Sequence, residues 1–188
     1  MSDTIRTFIA IKPPEKILSS VKQIQDSFKL QGVIAKWVRA ENIHITIKFL
    51  WDIKKTDVEK IIKSITLAAK ESKPITLSVK GSGVFPGVKR PRVIWAGITG
   101  EVSALLDLQN RVEENLEAIG FPKEPRPFKG HLTIGRIKGK TDAKKLVNTM
   151  EQFNDFESEK FIAEHIFLIK SELKHSGAVY TDLSDIFL

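Results

Sequence analysis

The chain contains no cysteine, which excludes disulfides, thiolate nucleophiles and the sulfur ligands of structural zinc sites. No segment approaches the roughly eighteen unbroken apolar residues that a membrane span needs. The opening Met1-Ser2-Asp3-Thr4-Ile5-Arg6 lacks the apolar stretch of a secretion signal. A cytoplasmic protein with no membrane partner is the expectation. Histidine is scarce, four in 188 residues, and no serine stands in a context that marks a nucleophile. Any chemistry must come from those histidines, from carboxylates and hydroxyls, or from a bound metal.

What the chain has in excess is positive charge: 30 Lys and Arg against 23 Asp and Glu, a net charge of +7 and a pI near 9.5. Such a balance suits a polyanionic partner, because cations that neutralise phosphates contribute through counterion release. A Lys-rich, heat-adapted surface explains the same composition, so charge alone does not choose. With 41% hydrophobic residues, the length fits one domain or two intimately packed lobes.

The hydrophobic pattern runs through a strand-helix unit twice. Thr7 to Ile11 reads as a strand that Pro13-Pro14 stops while opening a helix with Ile17, Val21, Ile24 and Phe28 on one face. Trp37-Val38 and Ile43 to Leu50 read as extended. Thr56 with Glu59 predicts a capping box before a helix striped by Val58, Ile61, Ile62, Ile65 and Ala69, and Ile75, Leu77 and Val79 predict a half-buried strand. Gly81-Ser82-Gly83, Pro86-Gly87 and the basic 89–92 segment predict a loop between the halves. Val93 to Ile98 then predicts a strand, Leu105, Leu108, Val112, Leu116 and Ile119 a helix, and Thr141 the cap of a helix carrying Leu146 and Met150. Phe161 to Ile169 predicts one long strand and Val179 to Leu188 another. The near-constant offset between equivalent features predicts approximate repeats over 6–80 and 91–170 of a single bilobal domain spanning 1–188. The fold class expected is α+β: two pseudo-symmetric lobes, each a small, mostly antiparallel sheet with helices on its outer face, enclosing a central cleft.

The repeats carry one matched motif, His44-Ile45-Thr46-Ile47 and His131-Leu132-Thr133-Ile134. Alternation along a strand puts His44 with Thr46, and His131 with Thr133, on one face, with the aliphatic residues turned into a core. A pseudo-twofold would bring one imidazole from each lobe to a shared cleft. An unperturbed imidazole titrates near 6.5, so such a pair can act as acid and base on opposite sides of a phosphorus, with the threonine hydroxyls stabilising the non-bridging oxygens. No carboxylate shares the histidine face of either strand and threonines are poor ligands, which argues against a metal. No cofactor is called for. His165 and His175 lack the threonine companion and read as structural or surface residues.

At these residues the sequence resembles the two-histidine phosphoesterase superfamily, and within it the RNA 2′,3′-cyclic phosphodiesterases, also called 2′-5′ RNA ligases. The likeness covers Arg6-Thr7-Phe8-Ile9-Ala10, Trp37 to Leu50, Phe85-Pro86 with 90–97, and Arg126-Pro127-Phe128 into His131 to Arg136. It implies metal-independent hydrolysis of a terminal 2′,3′-cyclic phosphate of RNA to a 2′-phosphomonoester by a monomer, with reverse 2′-5′ ligation of tRNA halves as a side activity. It further implies that His44 is the proton donor and His131 the proton acceptor; the near-symmetry of the motifs cannot assign those roles. Arg136 sits where the family places a phosphate-contacting arginine. Strict alternation sends Arg136 to the far face from His131, and Phe49 to the far face from His44, unless a bulge or the strand's end restores them. Phe49 and Phe8 are candidates for base stacking, although a strand phenylalanine such as Phe8 is more often a core residue. Lys48 shares the face of His44 and Thr46 by spacing and is a candidate phosphate neighbour, while Arg92, Arg126 and Lys129 are candidates for the groove mouth. A non-catalytic RNA-binding module, and a phosphodiesterase of small cyclic nucleotides, remain as alternatives.

Overall fold

The computed structural model describes residues 3–175 and 177–188; Met1, Ser2 and Ser176 lie outside them. Strand β1 (Thr4–Ile11) leads through Pro13-Pro14 into helix α1 (Glu15–Leu30). The predicted stripe of Ile17, Val21, Ile24 and Phe28 is buried, each side chain contributing about 1.5–3 kcal/mol through its removal from water. Next come β2 (Ala35–Trp37), β3 (Ile45–Lys54), α2 (Val58–Lys70) and β4 (Ile75–Phe85). The second half supplies β5 (Val93–Gly100), α3 (Val102–Glu117), β6 (His131–Ile137), α4 (Ala143–Glu151), β7 (Phe161–Ala163), β8 (His165–Lys174) and β9 (Gly177–Phe187).

The strands form one curled antiparallel sheet in the order β7-β4-β5-β6-β3-β1-β8-β9, with β2 added on β6. Its two halves, β7-β4-β5-β6 and β3-β1-β8-β9, are the two lobes, and at the seam β3 and β6 pair through a single position, Ile45 opposite Leu132. The lobes are interleaved in sequence: β4 crosses to lie beside β5, and β8 crosses to lie beside β1. Helices α1 and α4 pack against β4, with α1 reaching β6, while α2 and α3 pack on each other and α3 reaches β3. With the helices on the outer face, the opposite face of the seam is left for the cleft.

Four local expectations are corrected. Glu164 separates β7 from β8, so Phe161 to Ile169 is two strands, one in each lobe: β7 at the sheet edge on β4, and β8 between β1 and β9. Gly81-Ser82-Gly83 lies inside β4, which carries an extra residue between Lys80 and Ser82, and only the segment after Phe85 turns. Neither threonine caps its helix. Thr56 lies within a 3₁₀ turn, Lys55–Asp57, that runs straight into α2, so no cap is left for its hydroxyl to fill. At α4 the Asp142 carboxylate accepts from the Lys144 and Lys145 amides instead of Thr141, because a charged acceptor one residue nearer the helix makes the stronger bond.

Candidate active site

The seam between the lobes sets the two histidines on neighbouring strands. His44 immediately precedes β3 and follows a 3₁₀ turn at Ala40–Asn42, and His131 opens β6. Each ring is locked in the same way. The His44 Nδ1 donates to the carbonyl of Asn42 at 2.8 Å, and the His131 Nδ1 donates to that of Lys129 at 2.7 Å. A carbonyl can only accept, so the proton of each neutral ring sits on Nδ1 and Nε2 is left as the working nitrogen. Phe8 stacks on the His44 ring at 4.6 Å, Tyr180 meets it edge-on at 5.6 Å, and Phe85 meets the His131 ring edge-on at 5.1 Å. Thr46 and Thr133 are half-buried beside their histidines, and no protein group among the described residues takes up either hydroxyl.

Beyond the threonines, both strands break alternation at the same step. Ile9 pairs with Lys48 and Ala10 with Thr46, leaving Ile47 as an extra residue; Ile94 pairs with Gly135 and Trp95 with Thr133, leaving Ile134 extra. Each bulge turns two successive residues to the core and re-phases those that follow. Phe49 therefore returns to the histidine side, opposite Phe8 with ring centroids 6.0 Å apart. Arg136 occupies the matching position in the other lobe, exposed and without a carboxylate partner among the described residues. The second bulge is held from outside the sheet: buried Gln25 on α1 donates from Nε2 to the carbonyls of Ile134 and Val38, both at 2.8 Å.

The same re-phasing removes Lys48 from the cleft, correcting its placement as a phosphate neighbour. Its ammonium is buried against the Glu113 carboxylate of α3 and donates to the carbonyl of Pro122 at 2.7 Å. Two cleft residues were not singled out from sequence. Lys12 lies two positions beyond Ala10 on the face of Phe8, so alternation along β1 pointed to it; its ammonium pairs with Asp182 at 2.6 Å. Tyr180, the chain's only tyrosine, comes from β9 and packs edge-on to Phe8 at 5.0 Å as well as to His44. Nothing local marks it, because its place depends on β8 and β9 folding back beside β1.

Electrostatics treat the pair alike. Burial pushes His44 down to about 4, against the Asn42 carbonyl, which favours the charged ring; the positive charges of His131, Lys12 and Arg136 push it further down. Burial also lowers His131, opposed by the Lys129 carbonyl and reinforced by Arg136. Burial raises the Tyr180 phenol while Arg136 and Arg6 oppose that rise. Arg136 thus acts on groups from both lobes. Replacing it with methionine is expected to move both histidine pKa values up toward 6.5 in an NMR titration, and to lower kcat/KM for a phosphate-bearing substrate. Unchanged histidine titrations would show that its charge does not reach the cleft.

An interleaved antiparallel sheet with one Nε2-presenting histidine per lobe at its seam is the two-histidine phosphoesterase fold, and the protein is an enzyme acting on phosphate esters. The chain belongs to the LigT-like phosphoesterase family, whose sequence model matches residues 11–95 and 98–180. It is 38% identical over 176 residues to an RNA 2′,3′-cyclic phosphodiesterase of Methanocaldococcus jannaschii, covering 94% of this chain and 96% of that one. A protein of the same name from Aquifex aeolicus is 32% identical over 98% of this chain and 97% of its own. Among solved structures, a Thermus thermophilus protein superposes with a TM-score of 0.81 at 24% identity, covering 98% of each chain. E. coli LigT complexed with 3′-AMP superposes with a TM-score of 0.73 at 21% identity over the same shares.

Proposed function

We propose that this protein hydrolyses the terminal 2′,3′-cyclic phosphate of RNA to a 2′-phosphomonoester, without a metal, by general acid and base catalysis from His44 and His131. The observation that carries the reading is the matched locking of both rings through Nδ1 on adjacent strands, which leaves two Nε2 atoms for one phosphate. The names of the archaeal and bacterial relatives supply the substrate. His131 Nε2 accepts a proton from water as its oxygen bonds to phosphorus. The bond from phosphorus to the ribose 3′ oxygen breaks, and His44 Nε2–H delivers a proton to that oxygen. Thr46, Thr133 and Arg136 hold the non-bridging oxygens, whose charge grows as phosphorus becomes five-coordinate. Phe49, 43% exposed, stacks on the terminal base, whereas Phe8 is only 3% exposed and backs the His44 ring instead of meeting a base. The enzyme works as a cytoplasmic monomer, and microscopic reversibility gives 2′-5′ joining of tRNA halves as the reverse reaction.

With both histidines lowered, the free protein holds two neutral rings at pH 7. The anionic substrate favours the imidazolium, so binding at pH 7 is accompanied by proton uptake. The profile of kcat/KM reports the free enzyme; it is expected to be a bell with its maximum between about 4 and 6.5, bounded by the lowered His44 and His131 values. The profile of kcat reports the complex and is expected to lie to the alkaline side of it. Coincident profiles would contradict proton uptake on binding. The direct test is incubation with an oligonucleotide ending in a 2′,3′-cyclic phosphate; unchanged ends alongside salt-sensitive binding would leave a binding module instead.

A further inference from the structure

Trp51 holds a backbone conformation that its side chain disfavours. Its φ is 58°, the only left-handed non-glycine residue among the described ones. The reason lies in β3: Thr7 pairs with Trp51 and Phe8 with Phe49, so Leu50 is the extra residue of a further bulge. The left-handed position of such a bulge suits glycine, because a Cβ there crowds the backbone. Here it carries the largest side chain available, and that side chain is 56% exposed. Burial does not explain the ring.

Its neighbours do. Trp51 continues the aromatic row that begins at the catalytic ring: His44 to Phe8, Phe8 to Phe49, then Phe49 to Trp51 stacked at 5.6 Å and 29°. The Arg6 guanidinium lies 4.9 Å from the Trp51 ring centroid and forms no salt bridge among the described residues. An exposed indole beside an unpaired guanidinium, one step outward from the terminal-base position, is the chemistry that holds a nucleobase and its phosphate.

We propose that Trp51 and Arg6 form a second nucleotide subsite, which takes the base and phosphodiester immediately 5′ of the cyclic-phosphate nucleotide in a single-stranded RNA end. The inference rests on the proposed function for its polarity, since His44 and His131 hold the terminal phosphate. It names the substrate class: an oligonucleotide end in preference to a cyclic mononucleotide.

The test compares a 2′,3′-cyclic mononucleotide with a short single-stranded RNA ending in a 2′,3′-cyclic phosphate, for the wild type and Trp51→Gly. Glycine accepts the left-handed backbone, so the variant is expected to keep or raise the thermal midpoint. Base stacking on an aromatic ring accounts for about 5- to 150-fold in affinity. Trp51→Gly is therefore expected to raise KM for the oligonucleotide within that range, with kcat preserved and mononucleotide kinetics as the internal control. Arg6→Gln is expected to flatten the salt dependence of oligonucleotide binding by about one released ion. Binding of an RNA ending in a 2′-phosphate, followed by fluorescence anisotropy, separates this inference from the catalytic reading. Trp51-dependent binding without hydrolysis of either substrate would retain the subsite and overturn the proposed reaction. Equal oligonucleotide KM and affinity in wild type and Trp51→Gly would overturn the subsite.

Discussion

His44→Ala and His131→Ala are each expected to lower kcat by about 10²- to 10⁴-fold, the range for loss of a general acid or base. Each ring is fixed by its own backbone carbonyl and its own aromatic neighbours, not by the other histidine, so neither substitution disturbs the other ring's geometry. The double variant is expected to fall little below the worse single one, because an acid and a base acting in one transition state are not independent. Steady-state kinetics on a cyclic-phosphate RNA end, with circular dichroism to confirm folding, check this. Multiplying losses in the double variant would mean that the histidines act in separate steps or at separate sites.

The second large effect is on stability and concerns the residue that alternation misplaced. Lys48 and Glu113 have side chains only 3% and 6% exposed, and the carboxylate is further held by Gln109 Nε2 at 3.0 Å and the Glu124 amide at 3.3 Å. Lys48→Met leaves that buried carboxylate without its cation and is expected to lower unfolding free energy by about 3–5 kcal/mol. Lys48→Met with Glu113→Leu removes both charges and is expected to recover most of the loss, since an apolar pair of similar volume meets no desolvation penalty. Urea denaturation measures both. The kcat/KM of the folded single variant is expected to equal that of the wild type, because Lys48 faces α3 and not the cleft. A large loss of activity at unchanged stability would return Lys48 to the phosphate.

These two cases show what the chain's pattern made legible. His44 with Thr46 and His131 with Thr133 precede their bulges, so simple alternation puts each threonine on its histidine's face. Lys48, Phe49 and Arg136 follow the bulges at Ile47 and Ile134, where one inserted residue exchanges the faces. Alternation therefore favours Lys48, which is buried, and counts out Phe49 and Arg136, which only the allowance for a bulge and, for Arg136, the resemblance retain. A bulge has no strong local signal in Ile-Thr-Ile-Lys or Leu-Thr-Ile-Gly; it is stabilised from afar, as by Gln25 on the Ile134 carbonyl. The break at Glu164 was hidden for a related reason. Phe161-Ile162-Ala163 and the strand after it are both apolar, and only their pairing, with β4 and with β1, separates them. Helix faces are legible where four or more apolar residues recur at helical spacing, as in α1 and α3. The starts of α2 and α4 are not, since Thr56 and Thr141 each lie beside an aspartate closer to the helix.

The ester position of the product, followed by phosphorus NMR in the presence of a chelator, tests most directly whether two imidazoles act in line on one phosphorus. If His44 serves the 3′ oxygen and His131 the water, as proposed, a cyclic-phosphate RNA end is expected to yield the 2′-phosphomonoester alone, at an undiminished rate. A 3′-phosphomonoester, or turnover only after a divalent ion is restored, would contradict it.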